Sequence, residues 1–214
     1  MANIYNILVA GVGGQGVVRL GNILREYGMK SSLIKNVVGT ETRGVSQREG
    51  SVTATARYLV EDDFSTFDQG YEVEDLISPL IPMNDANLVL GLEPLETIRN
   101  IKYVSRQTII ILNLHKHYPR DVILGAEKGK KYPEIDDILN QFEAIANKTI
   151  ARDFNALSKE HFKTSLFANT IILGVAMWEI KEIFNKELIL DLTKENFKQP
   201  QKNLKAFELG YNLS

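Results

Sequence analysis

Residues 7–21 read ILVAGVGGQGVVRLG, an apolar run that enters a glycine-rich turn and leaves it in a second apolar pattern. Gly11, Gly13 and Gly16 fall at G-x-G-x-x-G spacing. Glycines so placed turn a strand sharply into a helix and let the backbone approach a pyrophosphate at the helix amino end. Residues 4–10 are therefore expected to form a buried strand. Residues 14–27 follow as a helix with Val17, Leu20, Ile23, Leu24 and Tyr27 on one face. Residues 33–38 supply another apolar strand and so a β-α-β opening.

The alternation continues outward from this unit. In 51–60, Val52, Ala54, Ala56, Tyr58 and Val60 alternate with Ser51, Thr53, Thr55, Arg57 and Leu59, a strand with one buried and one more polar face. The acidic stretch EDDFSTFDQGYEVED that follows reads as the start of an excursion from the sheet over 61–85. ANLVLGLEPLETIRNI predicts a strand, a turn and a helix starting near Pro94, and TIIILNL a fully buried strand. Helices are expected over 134–146, 163–184 and 201–211, with a short strand at 149–151 and a loop at KGKKYP. With no repeat or linker, residues 1–214 read as one three-layer α/β/α domain with a mostly parallel, Rossmann-like sheet.

Composition narrows the function classes. There are 25 basic and 27 acidic residues, for a net charge of -2, so no broad positive field favours nucleic acid. No apolar stretch reaches membrane-spanning length, and MANIYNILVAGV lacks a basic targeting region. A cytoplasmic protein with neither nucleic-acid nor membrane partners is expected. The chain contains no cysteine, which excludes a thiol nucleophile or a cysteine-ligated iron–sulfur cluster within it.

A dinucleotide fingerprint also needs an acidic residue near the end of the second strand to take the ribose hydroxyls. That strand ends LIKNVVG, and no Asp or Glu lies between Glu26 and Glu41. The glycines are then explained by a tight turn and close helix packing, and a free-standing NAD(P)-binding Rossmann-type oxidoreductase becomes the alternative. The polar stretch VVGTETRGVSQREGSV, residues 37–52, holds Glu41, Arg43, Arg48 and Glu49, whose charges cancel. In a parallel sheet it leaves the same edge as the first loop, so the two should form one surface.

Other chemistry is sparse. His115 and His117 at i, i+2 lack a nearby third ligand, and no metal site is expected. Asp62-Asp63 and Asp136-Asp137 read as solvated faces, and Met177 and Trp178 as core. There is no G-x-S-x-G elbow or P-loop lysine, so no catalytic residue is assigned. Asn169, in the apolar run LFANTIILG, needs a partner if buried, such as a loop backbone.

Taken in order, GVGGQGV, GTETRGVSQREGSVTATARY, LGLEPLETIR, the strand ending in Asn113 and FANTIILGVA resemble the small subunit of ferredoxin-dependent 2-oxoacid oxidoreductases. The likeness is to the beta subunit of indolepyruvate ferredoxin oxidoreductases, equivalent to the gamma subunit or domain of the pyruvate and ketoisovalerate enzymes. It spans nearly the whole chain. Where the family often shows Gln-Arg-Gly-Gly, this sequence has Gln47-Arg48-Glu49-Gly50.

The resemblance implies a noncatalytic subunit, inactive alone, of a complex that oxidatively decarboxylates 2-oxoacids to acyl-CoA. It places thiamine diphosphate, magnesium and [4Fe-4S] clusters in a large partner subunit and no cofactor in this chain. Ferredoxin and coenzyme A act at the level of the complex. By position, Gly11, Gly13, Gly14, Gln15 and Gly16 form a cofactor-binding or interface loop. Glu41, Arg43, Gly44, Gln47, Arg48, Gly50 and Ser51 form an interface or substrate-side loop, supported by Asn113 and Asn169.

Overall fold

Among the described residues seven strands make one sheet, and helices cover both of its faces. The computed structural model describes residues 3–44, 50–60, 78–118 and 132–213. The strands are β1 (Asn3–Val12), β2 (Ile34–Val38), β3 (Glu41–Arg43), β4 (Ser51–Val60), β5 (Leu88–Gly91), β6 (Ile109–Asn113) and β7 (Lys148–Arg152). The helices are α1 (Val17–Lys30), α2 (Pro94–Ile98), α3 (Ile135–Ile145), α4 (Phe154–Phe162), α5 (Ala168–Glu179), α6 (Lys186–Asn196) and α7 (Pro200–Tyr211).

The strand order is β2-β4-β1-β5-β6-β7, with β3 also pairing β4. β4 runs antiparallel to β1, β2 and β3, while β1, β5, β6 and β7 pair in parallel. Only β4 therefore opposes the common direction, and the sheet is mostly parallel, as expected. The β-α-β opening forms as β1, α1 and a parallel β2, but β2 does not lie beside β1. The ten-residue β4 pairs with β1 from Asn3↔Val60 to Val12↔Ser51 and separates the two. β2 and β3 share the far side of β4, interrupted at Gly39 and Thr40.

Side-chain alternation on β1 feeds two cores. Ile7 and Val9 point to the layer holding α1 and α4–α7, while Leu8 joins Leu95, Ile138 and Phe142 from α2 and α3. On α1, Val17, Leu20, Ile23, Leu24 and Tyr27 are all buried, the face read from the sequence. Burial of large apolar side chains like these contributes roughly 1.5–3 kcal/mol each before ordering costs. α5 and α7 touch backbone to backbone, and a Cβ at Gly174 would stand 2.8 Å from the Tyr211 nitrogen.

Several expected boundaries move. The helix expected over 163–184 is instead the C-cap of α4 at Lys163, a turn, and α5, which stops at Glu179. Lys163 caps α4 with φ +63, and Ser158 Oγ, which donates to the Thr164 carbonyl, also accepts from Phe167 N. No glycine or proline marks that break. α4 and α6 were not expected, because their apolar positions are sparse. Met177 is core, but Trp178 is 37% exposed. Of the excursion expected at 61–85, residues 61–77 lie outside the described residues. Residues 78–85 lie against the sheet, with Arg57 donating to the Ser78 carbonyl and Asn6 to Asp85. Most of KGKKYP and Asp62-Asp63 also lie outside the described residues.

Candidate functional site at the carboxyl edge

The carboxyl ends of β1, β3, β5, β6 and β7 share one edge of the sheet with the start of β4. After β1 the chain crosses toward β2, and after β5 it crosses the other way to β6. The edge between β1 and β5 is thus the topological switch point, where open α/β sheets place their sites.

The glycine loop is held at each turn. The side chain of Gln15 accepts from Val12 N at 2.8 Å, and Gln15 N donates to the Val12 carbonyl. Gly14 and Gly16 have φ of +98 and +92, conformations that favour glycine. Gly11 has no room for a side chain: a Cβ there would meet Gln15 Oε1 at 2.8 Å and Leu92 Cβ at 3.0 Å. Asn169, in the first turn of α5, donates to the Gln15 carbonyl at 3.3 Å. α1 begins at Val17 without a side-chain cap or an acidic residue in its first turn.

The second loop meets the first, as expected from the strand directions. Gly13 N donates to the Gly50 carbonyl at 2.9 Å, and Gly44 N to the Ser51 carbonyl at 2.8 Å. Arg43, Val52 and Gly11 sit side by side on three adjacent strands. Glu41 is shared between Arg25 at 2.8 Å and Arg43 at 3.2 Å, and the Arg43 side chain is 66% exposed. Gln47, Arg48 and Glu49 lie outside the described residues.

Two buried polar side chains tie the remaining loops of this edge. Asn113 accepts from Phe154 N and His115 N and donates to the Leu92 carbonyl and Asn155. It therefore joins the segments after β5, β6 and β7. Glu93, fully buried, accepts from Tyr132, Glu96 N and His117 N. Burial raises its pKa, and those hydrogen bonds oppose the rise only in part. The Tyr132 hydroxyl is pushed up by burial and by the adjacent carboxylate. The sequence reading missed Glu93, although the signal was present: an acidic residue directly before Pro94, three positions ahead of Glu96, is an N-cap pattern.

His115 and His117 do not converge on a common point through their rings. His115 Nδ1 lies 3.9 Å from Asp153, whereas His117 enters the network through its backbone. Among the described residues no three His, Asp or Glu side chains gather as a metal set. Asp136 and Asp137 are exposed in the first turn of α3.

The topology weighs against a dinucleotide. In the Rossmann arrangement the strand carrying the ribose-binding acid lies next to the glycine-loop strand. Here β4 intervenes, moving the end of β2 to two inter-strand spacings, on the order of 10 Å, from β1. Gly50 and Ser51 take the place beside the loop. The edge is a face of glycine backbone, exposed arginine and an uncapped helix start.

A family model for pyruvate ferredoxin/flavodoxin oxidoreductases matches residues 6–213. The chain belongs to this family. It is 32% identical to indolepyruvate oxidoreductase subunit IorB of Archaeoglobus fulgidus over 97% of this chain and 94% of the relative. It is 31% identical to the subunit of that name from Methanothermobacter thermautotrophicus, over 98% and 97%. Pyruvate oxidoreductase subunit PORC of Thermotoga maritima shares the fold, with a TM-score of 0.65 at 15% identity over 98% and 96% of the two chains. A chain of 2-oxoglutarate:ferredoxin oxidoreductase from Magnetococcus marinus aligns with a TM-score of 0.63 at 17% identity. That alignment covers all of the present chain but 31% of the other, so the same fold occurs there within a much longer polypeptide. Among the described residues no helix is long and apolar enough to cross a membrane.

Proposed function

We propose that this chain is the noncatalytic small subunit of a thiamine diphosphate-dependent 2-oxoacid:ferredoxin oxidoreductase, with arylpyruvates such as indolepyruvate as its substrate class. The complex would oxidatively decarboxylate a 2-oxoacid, transfer the acyl group to coenzyme A and pass the electrons to ferredoxin. Membership of the family and near full-length similarity to indolepyruvate oxidoreductase subunits support the reading.

The observation that carries it is the joining of the two loops through Gly13 N and the Gly50 carbonyl. Their union makes one preformed face at the switch point, built of backbone and arginine. Such a face suits a partner's carboxylates and carbonyls. Thiamine diphosphate, magnesium and [4Fe-4S] clusters belong to the large partner subunit in this proposal. The absence of cysteine from the sequence fits that division, since cluster ligation needs thiolates. This chain's residues position and cover, and they take no part in bond making.

Purification from the native source tests the reading. A large thiamine- and iron–sulfur-containing polypeptide should accompany the chain. Separated from it, the chain should be colourless and inactive on 2-oxoacids. Sustained turnover of a 2-oxoacid by the lone chain would overturn the assignment.

A further inference from the structure

β7 ends the sheet, and its outer side has no strand partner among the described residues. The Arg152 carbonyl accepts from Leu114 N at 2.9 Å and Lys148 N is directed at the Thr108 carbonyl, so residues 148, 150 and 152 turn their backbone groups toward β6. Thr149 and Ala151 therefore turn theirs outward, because N–H and C=O groups alternate sides along a strand. Beside this edge lies a groove of about 220 Å³ floored by Ile150, Phe154, Val175 and Leu213. An unpaired edge flanked by an apolar groove is the arrangement that accepts an added strand. Main-chain bonds supply affinity in that mode, and alternate side chains enter the groove.

Charge selects the occupant. Lys148 and Arg152 rim the groove on the same face as Ile150. Lys148, half exposed, pairs with Glu179 at 2.7 Å and keeps its charge, whereas Arg152 is exposed and has no acidic partner among the described residues. A second copy pairing antiparallel about Ile150 would set Lys148 opposite Arg152, and like charges directly opposite destabilise a pair. Basic residues on an edge thus discourage self-association while suiting an acidic strand.

We propose that β7 receives an extended acidic segment of the large partner subunit as an additional strand, with an apolar side chain in the groove and a carboxylate on Arg152. This rests on the subunit assignment above. It places a second contact at the lateral edge of the sheet, apart from the glycine-loop face.

The test uses the assembled complex and the free chain. Hydrogen exchange at the Thr149 and Ala151 amides should slow by about tenfold or more on assembly. Ala151→Pro removes an outward donor that β6 does not use, and Arg152→Glu reverses the selecting charge. Both should weaken association by about tenfold or more, while Arg152→Lys keeps most of it. A complex in which both amides exchange as in the free chain overturns strand addition and leaves the subunit assignment standing. Association of Arg152→Glu within about twofold of wild type does the same. Failure of the wild-type chain to assemble with any thiamine-containing polypeptide overturns both.

Discussion

Asn169 Nδ2 sits 3.3 Å from the Gln15 carbonyl, 154 residues earlier in the chain, in the space a Cβ on Gly16 would need. One side chain thereby fixes the loop from the opposite end of the sequence and explains why position 16 is glycine. Gly16→Ala should destabilise through φ +92, costing about 1–2 kcal/mol, and through overlap with the amide. Asn169→Ala alone should cost about 0.5–1.5 kcal/mol. In the double variant the overlap disappears, so the total should fall below the sum of the singles. Urea denaturation of the four proteins measures that coupling, and simple additivity would show that Asn169 does not restrict the loop.

Arg43 separates interface from stability. Its side chain is 66% exposed and, among the described residues, pairs locally with Glu41, so Arg43→Ala should change monomer stability by no more than ~0.5 kcal/mol. Association with the proposed partner subunit should weaken by roughly 2–5 kcal/mol if assembly buries the guanidinium. Calorimetric titration against the partner, with thermal melts of the free chain, reads both. Unchanged affinity would remove this loop from the docking face.

Glu93 sets a pH dependence. Its folded pKa lies above the ordinary value of about 4.5 for a glutamate carboxyl, so the folded state binds the proton more tightly than the unfolded chain does. Stability should therefore fall as pH rises from about 4.5 through the raised value, and level off above it. Glu93→Gln should flatten that slope, with a pH-independent loss of about 1 kcal/mol from the weakened N-cap to Glu96. Equal slopes for variant and wild type would assign the titration to another group.

The contact between α5 and α7 leaves no room for a methyl group. Gly174→Ala should cost roughly 1–3 kcal/mol and lower Tm by roughly 2–12 °C. An unchanged melt would mean that the two helices separate without penalty.

NAD(H) should show no tight binding to the glycine loop, because β4 stands between β1 and the strand that would carry the ribose acid. A dissociation constant in the low micromolar range by calorimetry would revive the free-standing oxidoreductase.

Local chemistry made much of this legible from sequence. The run from Ile7 to Gly21 dictated strand, turn and helix, and the period of Val17, Leu20, Leu24 and Tyr27 named the buried face. Alternation marked β4, and Pro94 marked the start of α2. Apolar periodicity reports which face is buried but not which strand lies alongside. The insertion of β4 between β1 and β2 therefore emerged only from the ten-position register joining Asn3–Val12 to Ser51–Val60. The same limit hid the roles of Glu93 and Asn113, whose partners come from segments distant in sequence. It also hid the break at Lys163, a residue with no local bias against helix that the Ser158–Thr164–Phe167 bonds hold at positive φ. Propensity and pattern act over a few residues, whereas pairing and polar satisfaction are decided by whatever the completed fold brings within reach.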